Sequence, residues 1–299
     1  MTAAAGQPVA NTASRPLGGG RRLRLDWLGA VPFLGYVGVF LLLPTGIVVV
    51  GAFFSSSGPT LANLRNVTQP FIITALINSL VLSTVTAVLG AILGALMAYA
   101  LATGNPNGAL RRLVSSACGV LAQFGGVILA FAFIATIGGG GFVYVFLLDH
   151  GIDINSNVWL YTVPGLMLVY MYFQIPLMVL VFLPALDGIR PQWREATESL
   201  GGSTWHYWRY VAGPLLAPAF LGATLLLFAN AFSAYATVAA LINQGGIVVP
   251  IQIANALQSE TGSHDPGFAK ALALVMVIIV AVVMTLYAML SQRTAKWLQ

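Results

Sequence analysis

Residues 158–186 read VWLYTVPGLMLVYMYFQIPLMVLVFLPAL and contain no charged side chain. An α-helix needs about 20 mostly apolar residues to cross the hydrocarbon core of a bilayer, so this run is long enough to span it. Its apolar residues are continuous, which argues against the strands of about ten alternating residues that build membrane β-barrels. The run therefore predicts a transmembrane α-helix.

Five further runs have the same character. Together they predict six transmembrane helices: Leu28–Phe54, Leu76–Ala102, Val114–Ile137, Val158–Leu186, Pro214–Leu241 and Phe268–Ser291. Of the 299 residues, 58% are hydrophobic and 7% are charged, whereas soluble domains carry roughly a quarter charged residues. Gly90 and Gly94 form a GxxxG pair that suits close helix packing. The sequence therefore predicts an all-α integral membrane protein.

The basic residues predict the orientation of the chain. If the N-terminus is cytoplasmic, the 13 Lys and Arg residues all fall in cytoplasmic segments except Arg65 and Lys270, as the positive-inside rule requires. Both termini are then cytoplasmic. Residues 1–26 are predicted to be a flexible tail, because their first 20 residues are rich in Ala, Gly, Ser, Thr and Pro. Residues 27–299 form the membrane domain, and the first apolar run is too long for a signal peptide.

The longest predicted cytoplasmic loop, residues 187–213, reads DGIRPQWREATESLGGSTWHYWRYVAG. Pro191 suits the first position of a helix, Gly201 suits its end, and Ser203 can cap a second helix. Gly213 with Pro214 is expected to break that second helix where it enters the membrane. The pattern predicts a helical hairpin that either contacts a cytoplasmic partner or rests on lipid headgroups.

This loop resembles the signature loop of binding-protein-dependent ABC transporter permeases, which reads Glu-Ala-Ala, then Gly, then Ile-x-Leu-Pro. Four positions match at the same spacing: Glu195, Ala196, Gly201 and Pro214. Three depart from the pattern: Thr197, Val211 and Gly213. The loop also lies where the family has it, before the penultimate span.

The resemblance implies the type I ABC importer permease fold in a bacterial cytoplasmic membrane. It also implies that residues 187–213 dock on an ATPase as a coupling helix, with Glu195 facing basic residues and Ala196 entering an apolar groove. The residues it assigns to this contact are Arg194, Glu195, Ala196, Thr197, Leu200, Gly201 and Pro214. The implied partners are membrane lipid, a second, paralogous permease chain, two ATPase subunits that bind ATP and Mg, and an external solute-binding protein.

Longer stretches resemble one branch of this family, the permeases for polyamines, ferric iron, thiamine and aminoalkylphosphonates. They are LLLPTGIVVVGAFFSS (41–56), LANLRNV (61–67), INSLVLS (77–83) and DPGFAKALALV (265–275). Sugar permeases share several of them. We therefore expect a small organic solute such as a polyamine or an aminoalkylphosphonate, with a sugar or glycerol phosphate as the alternative.

Several chemistries have no support in the sequence. There is no Gly-x-x-x-x-Gly-Lys-Ser/Thr loop, so we expect a transport subunit that is not an enzyme and has no cofactor of its own. His150, His206 and His264 lie in separate loops and Cys118 is the single cysteine, so no catalytic or metal site is expected. The charged residues are scattered and form no clustered basic face, which argues against nucleic-acid binding. Acidic residues confined to loops and helix ends disfavour a proton-coupled carrier, although sodium coupling stays open.

Polar and aromatic side chains within the predicted spans are candidates for the translocation path: Gln123, Tyr170, Gln174, Asn230, Ser233 and Tyr235. Each either forms hydrogen bonds between helices or contacts the solute. Gln174 is the stronger candidate because the nearby Pro176 frees backbone groups. The apolar piece Ile247–Leu257 is too short to span, so it is either an interfacial helix or a re-entrant segment.

Overall fold

The computed structural model describes residues 31–55, 58–154, 159–242, 247–258 and 265–295. The predicted tail, residues 1–26, lies outside the described residues. The helices of the described part are α1 (Val31–Gly51), α2 (Ala62–Asn66), α3 (Pro70–Thr103), α4 (Ala109–Leu121), α5 (Gly126–Ile137), α6 (Phe142–Asp149), α7 (Val163–Asp187), α8 (Pro191–Ser199), α9 (Thr204–Ser233), α10 (Ala236–Leu241), α11 (Val249–Gln258) and α12 (Pro266–Ala295). A 3-10 turn, Trp159–Tyr161, precedes α7. One antiparallel pair of two-residue strands, β1 (Phe54–Ser55) and β2 (Gly58–Pro59), is the exception to the helical prediction.

Within the described residues, six segments are long and apolar enough to cross a membrane. They are α1, α3, α5 together with α6, α7, α9, and α12 as far as Met289. The predicted number of spans is therefore confirmed.

The third span differs from its prediction, Val114–Ile137, because the chain leaves the helix at Ala122–Gly125. The apolar segment that can cross the membrane is Gly126–Asp149. Gly126 has a φ of 73°, a left-handed conformation that residues with a Cβ rarely adopt, so the chain can turn there before α5 begins. The fifth predicted span, Pro214–Leu241, is interrupted in the same way at Ala234 and Tyr235, between α9 and α10.

Helix α7 is the most buried of the spans and packs against α3, α4 and α9. Gly90 and Gly94 of α3 allow its close approach, because a Cβ at Gly94 would lie 2.5 Å from the Met178 Cβ and 2.7 Å from the Ile175 carbonyl oxygen. At Gly90 the corresponding distance is 3.0 Å, to the Gln174 Cβ. The packing role predicted for this glycine pair is confirmed.

The segment around α11 packs into the bundle. Val249 and Ile251 are buried, the Val249 amide donates to the Ser79 hydroxyl over 3.0 Å, and the Asn78 side-chain amide donates to the Ile247 carbonyl over 3.2 Å. A helix lying flat on lipid would expose one face and would not bury its first turn against α3. The structure therefore argues against a helix that lies flat on the lipid surface.

Candidate functional site

The predicted cytoplasmic hairpin forms as a helix, a tight turn and a second helix. Pro191 occupies the first turn of α8, where its missing amide hydrogen is of no consequence. The helix ends with the Gly202 amide donating to the Thr197 carbonyl and the Gly201 amide donating to the Glu198 carbonyl. Gly201 has a φ of 76°, which reverses the chain as a C-terminal helix cap. The turn predicted at Gly201 is confirmed.

The second arm begins at Thr204 and is continuous with the membrane span. The break predicted at Gly213 and Pro214 is wrong, because a π-helical turn over Trp208–Ala212 carries the helix past the proline. The Gly213 amide donates to the Trp208 carbonyl, five residues earlier. The wider turn gives the proline ring more space than a regular helix would, so the helix continues into the bilayer.

His206 also has a structural role that its loop position did not suggest. Its Nδ1 accepts the Ser203 amide over 3.3 Å and lies 2.8 Å from the Ser203 hydroxyl oxygen. The contact caps the first turn of α9, as polar side chains commonly do at helix starts. The start of the arm that follows the turn is therefore fixed by a side-chain contact.

Apolar side chains project from this hairpin. Leu200 is 89% exposed and Trp205 is 68% exposed. Five of the predicted coupling residues are exposed on the same hairpin: Arg194, Glu195, Ala196, Leu200 and Gly201. The Arg194 Nε donates to Glu198 over 3.0 Å, an i,i+4 pair that contributes a few tenths of a kcal/mol to helix stability.

The other two predicted coupling residues face their own chain. The Thr197 hydroxyl donates to the Trp193 carbonyl over 2.8 Å, and a Cβ at Gly202 would meet the Thr197 methyl at 2.7 Å. Pro214 is half-buried within α9. Thr197 and Pro214 shape the hairpin, and the exposed residues form its outer surface.

Two of the predicted path residues are buried in the bundle. Gln174 is fully buried, and its amide nitrogen donates to the Thr86 hydroxyl over 2.7 Å. Its Oε1 has no hydrogen-bond partner among the described residues. Tyr170 is also fully buried, and its hydroxyl donates to the Ala234 carbonyl over 3.1 Å, at the break between α9 and α10.

The remaining four predicted path residues are exposed: Gln123, Asn230, Ser233 and Tyr235. Gln123 lies in the break before α5 and Tyr235 in the break before α10. A hydrogen bond joins the first turns of the helices that follow the two breaks, since the Gly126 amide donates to the Thr237 hydroxyl over 3.0 Å; Thr237 is not among the predicted residues. The Gly125–Gly126 pair was the available signal for the first break.

The first break lies directly before the apolar segment that can cross the membrane, Gly126–Asp149. Helix α4, Ala109–Leu121, precedes it and carries Arg111 and Arg112 near its start. Discontinuous helices are a common way for transporters to present backbone groups to a solute. The structure thus brings Gln123 and Tyr235 to neighbouring breaks and keeps Gln174 away from them in a packed interface.

Residues 141–296 match the family described as binding-protein-dependent transport system inner membrane component. The match covers more than half of the chain and contains the hairpin. The chain belongs to this family. It is therefore a permease subunit of the ABC importer class and a multi-pass inner membrane protein, as the resemblance of the hairpin predicted.

Curated relatives of this permease include the thiamine transport system permease protein ThiP of Salmonella typhimurium and of Escherichia coli. Each is 31% identical over 137 residues, which make up 46% of this chain and 24% of the relative. The stretch shared with this permease is thus about a quarter of those relatives' length. The probable starch degradation products transport system permease protein AmyD of Thermoanaerobacterium thermosulfurigenes is 23% identical over 140 residues, 46% of either chain.

Solved structures of ABC importers share the fold. A chain of a bacterial transporter involved in the import of the acidic polysaccharide alginate aligns with a TM-score of 0.71 and 17% identity, over 91% of this permease and 97% of that chain. A chain of the MetNI methionine transporter, in inward-facing conformations, aligns with a TM-score of 0.55 and 14% identity, over 75% and 96%. The predicted type I importer permease fold is confirmed.

Proposed function

We propose that this permease forms part of the solute path of an ATP-driven importer and that residues 187–213 couple it to separate ATPase subunits. The observation that carries the proposal is the capped hairpin whose outer surface exposes Leu200 and Ala196 beside Glu195. Capping at both arms makes the hairpin stiff enough to transmit a displacement. A stiff element is required, because a partner can shift a conformational equilibrium only through contacts that differ between the two states.

Burial in a groove of the ATPase would explain why Leu200 is exposed on the outer surface of the hairpin. Burying an exposed leucine side chain contributes about 1.5–3 kcal/mol, which corresponds to roughly a 10- to 100-fold change in affinity. Glu195 beside it adds charge complementarity to basic groups of the partner, which contributes to orientation more than to affinity. The hairpin also exposes Arg190, Arg194 and Arg209, a basic face that would suit a lipid surface, so the family membership is what favours a protein groove.

The proposed assembly contains four further kinds of component. Two ATPase subunits bind ATP and Mg beneath the hairpins, a second and paralogous permease completes the path, an external binding protein delivers the solute, and lipid surrounds the bundle. Closure of the ATPases on ATP moves the hairpins and opens the path outward, and hydrolysis resets it. The family membership and the fold support this scheme.

For the solute, we propose a small organic molecule of the class carried by the thiamine, polyamine and aminoalkylphosphonate branch. The stretch shared with the thiamine permeases supports this branch. The similarity to AmyD keeps a sugar or glycerol phosphate as the alternative. Mass spectrometry of the molecule retained by the cognate binding protein decides between them, since a bound sugar would exclude the proposed class.

Co-purification tests the coupling role. The permease is purified from its native membranes, and the ATPase recovered with it is quantified and compared between variants. Leu200→Asp is expected to lower ATPase recovery about tenfold or more, and Glu195→Arg is expected to lower it less. Arg112→Glu is the matched control, because Arg112 is an exposed cytoplasmic residue outside the hairpin.

Two results would contradict the proposal. One is equal ATPase recovery with Leu200→Asp and with the unaltered chain, at equal membrane levels. The other is solute uptake that follows an ion gradient and does not depend on ATP, which would indicate a secondary carrier.

A further inference from the structure

An ion pair joins the end of α7 to the start of α4. The Arg111 guanidinium donates to the Asp187 carboxylate. Asp187 is the last residue of α7 and lies directly before the hairpin, while Arg111 lies in the first turn of α4. The Arg111 side chain is 18% exposed and that of Asp187 is 41% exposed, so the contact is partly shielded from water.

Both charges are unfavourable for the helices that carry them. A helix dipole favours acidic groups at its N-terminus and basic groups at its C-terminus, by about 0.3–1 kcal/mol each. Arg111 stands at an N-terminus and Asp187 at a C-terminus, so neither charge stabilises its own helix. Their mutual contact explains this placement, because each neutralises the misplaced charge of the other.

Apart from this ion pair, helix α4 is held mainly by apolar contacts. Among its described side chains only Cys118 is buried, packed in the same apolar cluster as Phe182 and Leu186 of α7. Leu110 and Leu113 are each about 70% exposed. Apolar contact is non-directional and permits sliding, whereas a charge-assisted hydrogen bond fixes the position of one helix end against the other.

Helix α4 also leads directly to the break in the third span. It begins at the hairpin end of α7 and finishes at Leu121, one residue before the break at Ala122–Gly125. A displacement of Asp187 that pulls Arg111 therefore acts on the start of α4, whose other end adjoins the break. The chain thus has a continuous connection from the hairpin through α4 to the break that precedes the third span.

We propose that the Arg111–Asp187 ion pair is the positioning contact through which movement of the hairpin is passed to α4 and to the break at Ala122–Gly125. This inference rests on the proposed coupling of the hairpin to an ATPase. It assigns to Asp187, the first residue of the loop 187–213, and to Arg111 of α4 the role of linking that loop to the third span.

The test measures how fast a cysteine placed at the break reacts with a chemical label. Gln123→Cys places a thiol at the break, and the purified permease with its partner subunits is held in lipid nanodiscs and labelled with a water-soluble maleimide. Native Cys118 is buried, so the chain without Gln123→Cys gives the background. We expect ATP with vanadate to change the labelling rate at position 123 by about threefold or more, as a shift between two populated states would.

Charge reversals then isolate the ion pair. Arg111→Asp and Asp187→Arg, each alone, are expected to remove the nucleotide response of the label, and the double reversal is expected to restore it. Arg112→Glu is the matched control, because Arg112 adjoins Arg111 but donates to the Asn107 carbonyl over 3.0 Å. It is expected to keep the full response.

Each contrary result overturns the inference. It fails if the label does not respond to nucleotide in the unaltered background, if a single reversal keeps the response, or if a monodisperse double reversal does not regain it. In all three cases an ATPase that still co-purifies leaves the proposed function intact. Loss of the ATPase from the unaltered complex would instead overturn both.

Discussion

Gln174 shows how a single polar side chain can be held in the centre of a membrane bundle. Its amide nitrogen is paired with Thr86, which in turn donates to the Leu82 carbonyl over 2.7 Å. Its carbonyl oxygen is buried without a partner among the described residues. A buried acceptor of this kind costs about 1–3 kcal/mol when its hydrogen bond is unmade. The resting interface therefore holds a polar group that is only half satisfied.

This arrangement predicts different unfolding temperatures for two substitutions. Thr86→Val removes the partner of the Gln174 amide nitrogen, leaves both ends of the amide unpaired and should lower the unfolding temperature measurably. Gln174→Met removes the amide and leaves the Thr86 bond to Leu82 in place, so the unfolding temperature should stay close to that of the unaltered chain. Thermal unfolding in one detergent measures both. Greater destabilisation by Gln174→Met than by Thr86→Val would contradict the account.

At the scale of elements, the spans were predicted well because hydrophobic length is a local property of the sequence. The interruptions were not, because they depend on contacts between distant residues. The helix that follows the first break is held by a hydrogen bond from the Gly126 amide to the Thr237 hydroxyl, 111 residues later. The ion pair between Arg111 and Asp187 is likewise a contact between residues far apart in the sequence. Pro214 predicts a helix break, but the π-helical turn before it lets the helix continue. Sequence alone could not supply those partners.

The residues predicted to couple to an ATPase, most of which the structure exposes, depend on a different signal. Their spacing matches a family pattern, and the glycine of that pattern stands where the structure needs a left-handed residue. The path candidates had no such pattern to support them. Whether such a side chain is buried or exposed depends on how α3, α7 and α9 pack. Polarity alone therefore makes both Gln174 and Gln123 candidates for the translocation path, whereas the structure buries Gln174 and exposes Gln123.

The approach of α3 to α7 predicts a contrast between two glycines. Gly94→Ala should destabilise the protein by about 1–3 kcal/mol, because the new Cβ would meet the Met178 Cβ and the Ile175 carbonyl at under 3 Å. Gly119→Ala in α4 meets nothing within 4 Å, so it should be neutral or stabilising by helix propensity. Chemical or thermal unfolding of both variants checks the signs. A stabilising Gly94→Ala would exclude tight packing at that crossing.

For the whole molecule, the asymmetry of basic residues predicts which side of the membrane each loop faces. The hairpin and both termini are expected in the cytoplasm. Gly151, in the loop between α6 and α7, is expected outside.

Reporter fusions measure this orientation. Alkaline phosphatase should be active when inserted at Gly151 and inactive at the C-terminus, where green fluorescent protein should fluoresce. The reverse pattern would place the hairpin on the side that lacks ATP and would remove the basis for coupling.

The π-helical turn at Trp208–Ala212 has one more consequence, for changes in chain length. Such a turn is an α-helix that carries one surplus residue. Deleting one residue there would let the helix close into regular geometry while the segments on either side keep the faces they present, although Pro214 would lose the extra space that the wider turn gives its ring. The same deletion in α7, between Tyr170 and Met178, would rotate every later side chain by about 100° and expose a buried face to lipid. The junction between hairpin and bundle therefore tolerates the loss of one residue better than α7 does, and a second π-helical turn of the described residues, Gly38–Leu42 in α1, shares this property.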